Sequence, residues 1–380
     1  MPGGWAADRV GGKWLLGGGI LVSSAAALLT PGAARVHLAL LIALRVASGL
    51  GEAAMLPAVN ALVARWSSPT HSSVAVCVLY AGSDAGVIVG MVVTGVLCEY
   101  VGWPSAFYLF GTVGCVWCVV WVFLGHDSPP RHPLTSAAER SYWERRTVDD
   151  DPSSCPTTPW TDIVTSVAVW ALAAASFALC WGYFTLVTCL PTYMHDVLGF
   201  SMTKVGIFSA VPFLASLFVR PISGALADWL RSPGRLSTTV VRKTFCVVGF
   251  TSSGALLILT GYFGCARVAS VTTLFLLMVF MCFAMSSVEV NQLDLAVRHA
   301  GKIVGLTYFV ANFAAIVSPL AAGALTYERS TVDTWQKVFV LAAVIYAIGA
   351  VVFVLFGSGD RQSWADISSP ADQHETDVVQ

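Results

Sequence analysis

Charged side chains are scarce in this chain. They make up 11% of its 380 residues, whereas a soluble domain contains about 25%, and 56% of the residues are hydrophobic. No run of Lys or Arg occurs and the formal net charge is −1, so nucleic acid is not an expected partner. Most of the chain is instead expected to lie in a lipid bilayer.

Motifs for catalysis, metals and disulfides are also missing. The 7 histidines are dispersed, and none has H-E-x-x-H spacing. The 10 cysteines are scattered through apolar segments. Cys115 and Cys118 form a C-x-x-C pair, but inside an apolar helix such a pair is typical of small core side chains. We therefore expect no metal, no cofactor and no enzymatic activity.

Only one long polar segment interrupts the hydrophobic runs. It covers 126–160, contains Pro clusters and charges of both signs, and is typical of a linker with one short amphipathic helix near 135–147. On either side lie ten runs long enough to span a membrane. These runs are at about 14–31, 36–66, 73–98, 104–125, 162–190, 203–227, 239–263, 268–290, 301–325 and 335–356.

An internal repeat lies on either side of the linker. The pattern G-x-x-A-D occurs at 4–8 and again at 224–228, which indicates two related halves. The second copy follows two spans, whereas the first copy follows a polar opening that does not resemble a signal peptide. We therefore expect an all-α membrane protein with ten transmembrane helices of a complete twelve, in a 4 + 6 arrangement.

These features divide the chain into four parts. We predict an incomplete N-terminal bundle at 1–125, a linker at 126–160, a six-helix bundle at 161–357 and a disordered tail at 358–380. Basic residues concentrate in one set of alternating loops, which places the linker and the tail in the cytosol. A monomer is expected, and the sequence does not distinguish the plasma membrane from an organellar membrane.

Two charged residues lie inside one hydrophobic run, 40–66. Arg45 and Glu52 are seven residues apart, so on an α-helix they differ by about 20° in azimuth and by about 10 Å along the axis. An ionised side chain at this depth costs at least about 2.5–3.5 kcal/mol unless it faces protein or water. We predict that Arg45 receives an anionic substrate and that Glu52 carries a coupling proton, on a face left open by Gly49 and Gly51. The alternative is a buried charge pair, or pairing of these charges with other helices, that only fixes helix packing.

Other polar residues also lie within apolar runs. Asp84 and Arg220 lie at similar depths and are predicted to pair across the seam between the halves, because either charge alone would be costly. Trp181 and Tyr183 offer hydrogen-bond donors that suit an oxyanion, or they anchor a helix at the membrane interface. Glu289 is deeper in its span than the charges that follow it, and it is a further candidate for coupling.

Two features near helix ends complete the candidates. Asn291, Asp294 and Arg298 predict a gate of ion pairs and helix-end hydrogen bonds, with a solvated helix end as the alternative. Pro191 is placed to break its helix.

Motifs along nearly the whole chain resemble the anion:cation symporter family of the major facilitator superfamily. They include PGGWAADRVGGK, RVASGLGEAAMLPAVN, GWPSAFYLFGTVGCVW, WGYFTLVTCLPTYM, ISGALADWL and VNQLDLAVRHAG. That family contains vesicular glutamate transporters, sialin and phosphate transporters. The resemblance implies a secondary active transporter of inorganic phosphate or a small organic anion, coupled to H⁺ or Na⁺ by alternating access.

The resemblance carries over to single positions. Arg45 and Glu52 match a charged pair of the family's fourth helix that is implicated in anion handling and ion coupling. Leu179 stands where vesicular glutamate transporters have a substrate-binding Arg, so a glutamate-type site is not implied. The candidates for substrate binding or coupling are Arg45, Glu52, Asn60, Trp181, Tyr183, Glu289 and Asn291. The candidates for a gate or a structural role are Asp8, Arg9, Asp84, Arg220, Asp228, Asp294 and Arg298.

Two other functions remain open. An anion channel, for example for chloride, would conduct faster than alternating access allows. A truncated family member that does not transport would fit the two helices that the repeat leads us to expect before residue 1.

Overall fold

The computed structural model describes most of the chain. Four predicted site residues, Asp8, Arg9, Asn60 and Arg298, lie outside the described residues, as does nearly all of the linker helix predicted near 135–147. The described residues are 11–53, 55, 58–59, 62, 66, 72–127, 135, 160–231, 236–264, 266–295, 300–327, 329–362 and 364, with the backbone alone at 72–81, 293 and 300–301.

Helices account for the regular structure of the described residues, which contain no strand. A π-helical segment, Thr185–Cys189, lies between α6 and α7. The helices are α1 (Gly12–Val36), α2 (Leu38–Ala53), α3 (Ser72–Tyr100), α4 (Pro104–Leu124), α5 (Trp160–Thr165), α6 (Val167–Phe184), α7 (Leu190–Asp196), α8 (Met202–Leu230), α9 (Thr238–Tyr262), α10 (Arg267–Leu295), α11 (Ala300–Thr326) and α12 (Val332–Phe356).

Within the described ranges, nine helical stretches are long and apolar enough to cross a membrane. They coincide with nine of the ten predicted runs. The tenth run, 36–66, is described only in part, mainly as α2. The expected all-α membrane architecture is therefore confirmed.

The chain divides into two compact units. Unit 1 comprises Met1–Ser83 and Val96–Cys155, and unit 2 comprises Asp84–Gly95 and Pro156–Gln380. The middle of α3 therefore belongs to unit 2. The two-bundle division predicted from the sequence repeat stays a prediction.

In unit 1, α1 and α2 form an antiparallel pair joined by the single residue His37. A Cβ atom on Gly19 would lie 2.5 Å from the carbonyl oxygen of Gly51, and one on Gly51 would lie 2.7 Å from that of Gly19. The two backbones are therefore in direct contact, as small residues allow in membrane helices.

In unit 2, the middle of α3 packs antiparallel on α8. A Cβ atom on Gly95 would lie 2.6 Å from the carbonyl oxygen of Met202, and one on Gly206 would lie 2.5 Å from that of Met91. Glycine is required at this crossing because any side chain would push the two helices apart. The contact fixes the position of the charged residue Asp84, eleven residues before Gly95.

Pro191 does not end its membrane span, which continues to Asp196, but the α-helical pattern is interrupted just before it, as predicted. It lies in the first turn of α7, directly after the π-helical segment. Proline lacks the amide hydrogen needed for an i→i−4 bond, and a π-turn accommodates that loss without ending the span. The hydroxyl groups of Thr185 and Thr188 donate to the carbonyls of Trp181 and Phe184 at 2.7 and 2.6 Å.

The segment after α12 differs from the predicted disordered tail. The carbonyl of Ser358 accepts a hydrogen bond from Asn291 at 3.0 Å, and the amide of Gln362 donates to the carbonyl of Leu295 at 3.0 Å. The amide of Gly359 donates to the hydroxyl of Thr239 at 2.9 Å. Residues 358–362 are thus held across the ends of α9 and α10, because their backbone groups find partners there.

Candidate functional site

Arg45 lies on the exposed surface of unit 1 with neutral partners. Its Nη2 atom donates to Thr30 Oγ1 on α1, and its guanidinium carbon lies 5.2 Å from the centre of the Phe107 ring, within cation–π range. Among the residues that the structure describes, no carboxylate forms an ion pair with Arg45. Its positive charge is therefore held in place without being cancelled.

Glu52 is exposed as well, and two hydroxyl groups orient it. Its Oε1 atom accepts from Ser23 on α1 at 2.8 Å and from Ser48 on α2 at 3.0 Å. Arg45 and Glu52 are seven residues apart on α2, and their partners Thr30 and Ser23 are seven residues apart on the antiparallel helix α1. Both charges therefore face α1, and the shared helix face predicted from their spacing is confirmed.

The two glycines near this pair have different roles. A Cβ atom on Gly49 would meet no neighbouring atom within 4 Å, so Gly49 leaves the surface open as predicted. Gly51 is buried against Gly19. The prediction was wrong for Gly51, because its missing side chain serves helix packing rather than access by a solute.

A second group of charges lies in unit 2, where α3, α6, α8 and α10 meet. Arg220 on α8 forms an ion pair with Glu289 on α10, and their side chains are 17% and 19% exposed. Asp84 on α3 is only 3% exposed and accepts a hydrogen bond from Ser216 at 2.8 Å. The hydroxyl of Tyr183 on α6 is within electrostatic range of all three charges. We call Asp84, Tyr183, Ser216, Arg220 and Glu289 the unit 2 cluster.

The predicted pairing of Asp84 with Arg220 is therefore modified. Arg220 interacts electrostatically with Asp84, but its ion pair is with Glu289 and the hydrogen bond to Asp84 comes from Ser216. Depth along the membrane placed these residues at one level but did not identify the partners. Ser216 was missed, although it precedes Arg220 by one helical turn and thus lies on the same face of α8.

A third group connects α8, α9 and α10 at one end of unit 2. Asp294 accepts from Arg242 Nε at 2.7 Å and from Arg231 Nη2 at 3.1 Å, and Asp228 lies 3.8 Å from Arg231. Asp294 thus belongs to an ion-pair network, as the gate hypothesis requires, rather than to a solvated helix end. Arg242 was missed as its partner. Its position one turn before the apolar residue Phe245 is the signal that it faces inward.

Two predicted substrate residues lie inside the protein. Trp181 is 6% exposed and packs in the core of unit 2 beside Phe177, at 5.9 Å between ring centres. Asn291 is fully buried, and its amide nitrogen donates to the carbonyl of Ser358. Both side chains are therefore packed inside unit 2, and their role in substrate binding stays a prediction. In the described ranges, no group of three His, Cys, Asp or Glu residues could hold a metal ion.

Comparison with known proteins adds the family. The model of the Major Facilitator Superfamily matches residues 1–288. The chain belongs to the major facilitator superfamily. The chain is also 36% identical over 365 residues to sialin of Homo sapiens, covering 96% of this chain and 73% of sialin. It is 36% identical over 377 residues to vesicular glutamate transporter 3 of Danio rerio, covering 98% of this chain and 64% of that protein. Within the superfamily, the chain is a member of the anion:cation symporter family.

Solved structures of the superfamily share this fold. A bacterial homologue of the human lysosomal transporter Spinster, in an inward-facing and occupied conformation, has a TM-score of 0.67 and 12% identity, over 93% of this chain and 84% of that one. The peptide transporter POT in complex with sulfate has a TM-score of 0.66 and 17% identity, over 93% and 82%. The chain is thus a multi-pass membrane protein with a transporter fold.

Proposed function

We propose that this protein is a secondary active transporter of a small organic anion and that Arg45 binds the anion. The observation that carries the proposal is the exposed guanidinium of Arg45, whose partners are the neutral hydroxyl of Thr30 and the ring of Phe107. A cation inside an apolar span is costly in free energy unless it faces polar partners or a water-filled cavity, where a solute can reach it. Glu52, about two turns away on the same face, supplies the carboxylate for coupling to H⁺ or Na⁺.

The chemistry favours a carboxylate or a phosphate group. A guanidinium presents paired N–H donors that match either group. The relatives named sialin and vesicular glutamate transporter 3 support an organic anion over inorganic phosphate. Leu179, at the position where vesicular glutamate transporters have a substrate-binding Arg, is buried, which makes glutamate itself a weaker candidate than other carboxylates.

Uptake into proteoliposomes tests this proposal. The panel contains monocarboxylates, glutamate and inorganic phosphate, each with an imposed pH gradient or sodium gradient. Arg45→Ala is expected to lower uptake roughly 10–100-fold, which corresponds to losing about 1.5–3 kcal/mol from a charged hydrogen bond. Arg35→Ala, at the exposed end of α1, is the matched control and is expected to keep uptake unchanged.

Two outcomes would contradict the proposal. Unchanged uptake by Arg45→Ala in a normally inserted protein would remove the assigned role of Arg45. An anion conductance that persists in Glu52→Gln and exceeds the rate of alternating access would favour the channel alternative. The location of the linker and the tail in the cytosol stays a prediction, which protease accessibility in sealed vesicles would test.

A further inference from the structure

An open groove lies on the surface of unit 2, between the end of α11 and the first half of α12. Its volume is about 640 Å³, within the range of about 300–1,000 Å³ found for small-molecule sites. Both helices are candidate membrane spans. The occupant of this groove must therefore suit the bilayer surface at one end and hydrocarbon at the other.

The end of the groove near the start of α12 is polar. Asp333 and Lys337 lie in the first two turns of this helix, and both are exposed. Residues four apart lie on the same face of a helix, yet among the described residues no ion pair includes either of these two. One positive and one negative group are thus available to a ligand, one helical turn apart.

The rest of the groove is apolar and continues along the same face of α12. It is lined by Leu325, the penultimate residue of α11, and by Val340, Leu341 and Val344 of α12. The face from Asp333 to Val344 extends over eleven residues, or about 16 Å along the axis. This length corresponds to one leaflet of a hydrocarbon core that is about 30 Å thick.

We propose that this groove binds a membrane phospholipid whose headgroup carries both a phosphate and a primary ammonium, as in phosphatidylethanolamine. Lysine side chains near the end of a span extend toward the headgroups, so Lys337 donates hydrogen bonds to the phosphate. The carboxylate of Asp333 accepts hydrogen bonds from the ammonium. A short ethylene bridge joins the two headgroup charges, which suits side chains one turn apart. One acyl chain follows the apolar part of the groove, where burial of its methylene groups contributes to binding.

The shape and charge of the groove favour this occupant over others. A lipid needs the protein on one side only, because its other side contacts neighbouring lipids, and an open groove provides that. A choline headgroup has no N–H group to donate to Asp333, and an anionic headgroup has no cation for it. The groove belongs to unit 2 and the proposed anion site to unit 1, so this inference goes beyond the proposed transport activity and does not depend on it.

Native mass spectrometry of the full chain, purified and delipidated in detergent, tests the proposal. Phosphatidylethanolamine, phosphatidylcholine and phosphatidylglycerol with identical acyl chains are titrated separately, and the lipid bound per chain is measured. The wild-type protein is expected to bind phosphatidylethanolamine about 3–10-fold more tightly than either other lipid, the gain from one hydrogen-bonded charge pair at an exposed site.

Two variants assign the headgroup contacts. Asp333→Ala is expected to remove the preference for phosphatidylethanolamine over phosphatidylcholine and to leave the affinity for phosphatidylcholine unchanged. Lys337→Ala is expected to weaken binding of all three lipids about 3–10-fold, because each contains a phosphate. Lys204→Ala, at an exposed lysine near the start of α8, is the matched control and should bind the three lipids as the wild type does.

A third variant tests the apolar part of the groove. Val344→Phe fills the space that the acyl chain occupies, so binding of every lipid should weaken. Val351→Phe places the same side chain about two turns further along α12, outside the residues that line the groove, and should leave binding unchanged. Both valines are exposed, so neither change disturbs the core.

Three results would overturn the proposal. One is equal affinity of the wild-type protein for phosphatidylethanolamine and phosphatidylcholine. Another is unchanged lipid binding in both Asp333→Ala and Lys337→Ala, which would place the lipid elsewhere. The third is a dimer of the delipidated protein that Val344→Phe dissociates, which would assign the groove to contact between two copies of the chain. None of these results depends on anion uptake, so failure here is distinguishable from failure of the transport proposal.

Discussion

The two units use the same charged residue types in different surroundings. Arg45 and Glu52 in unit 1 are exposed, and hydroxyl groups hold them. Arg220 and Glu289 in unit 2 are largely covered and hold each other. A neutral partner orients a charged side chain and leaves its charge uncompensated. An oppositely charged partner compensates the charge, so a solute is attracted less strongly. The pattern of partners, rather than the residue type, therefore separates a candidate binding group from a structural one.

Removal of one member of the covered pair should have the largest effect. Arg220→Leu leaves Glu289 and Asp84 without their cation, and we expect a loss of about 3–5 kcal/mol in the free energy of unfolding. Arg45→Leu removes an exposed group with neutral partners and should cost about 0.5–1.5 kcal/mol. Thermal unfolding of both variants in detergent measures the difference. Equal losses in the two variants would contradict the distinction between covered and exposed charges.

Variants of the ion-pair network at the end of α10 test whether burial of a charged group determines how much its loss lowers the free energy of unfolding. Asp294→Asn removes the charge that compensates Arg242, which is 1% exposed. We expect a loss of about 1.5–3 kcal/mol, because a hydrogen bond between charged groups is weakened. Asp228→Asn, whose side chain is 77% exposed, is the control, and its effect should stay within about 0.5 kcal/mol. The same unfolding measurement is used, and a stable Asp294→Asn protein would contradict the assigned pairing.

The glycines of α2 test how open the exposed face is. Gly51→Ala would place a Cβ atom 2.7 Å from the backbone of Gly19, so the helices must separate and about 1–3 kcal/mol is lost. Gly49→Ala meets no atom within 4 Å and should stabilise the helix by up to about 1 kcal/mol. Opposite signs in the two melting temperatures are expected. A loss for both variants would mean that Gly49 is also a packing residue.

The serines around Glu52 should give the smallest effects. Ser23→Ala and Ser48→Ala each leave Glu52 with one remaining donor, so each should cost about 0.5–1.5 kcal/mol. The double variant leaves the carboxylate without either hydroxyl and should exceed the sum of the single losses by at least about 0.5 kcal/mol. Strict additivity in a double-mutant cycle would show that the two hydroxyls do not act on one group.

Sequence reasoning succeeded where the structure depends on local periodicity. The shared face of Arg45 and Glu52 follows from their spacing along one helix. The partners of these residues, Thr30 and Ser23, could not be predicted, because they depend on the register between two helices. The same limit explains why depth placed Asp84 and Arg220 together but did not identify Ser216.

Burial was the other property that the sequence did not reveal. Asn291 belongs to a polar pattern near a helix end, which favours a gate or a binding role. The structure covers it with residues 358–362, which return over the ends of α9 and α10. A segment distant in sequence decides the surroundings of this residue, so no local pattern could have assigned them.

The contacts between α1 and α2 also fix how the two helices are aligned along their length. Three contacts, at Thr30, Ser23 and Gly19, are spread over about three turns of α1 and prevent either helix from sliding along the other. The guanidinium of Arg45 and the carboxylate of Glu52 lie seven residues apart on α2, so the helix itself sets their separation of about 10 Å along the axis, and the contacts with α1 hold both side chains on one face. Only an elongated solute could reach both groups at once, and shorter anions would contact the guanidinium alone.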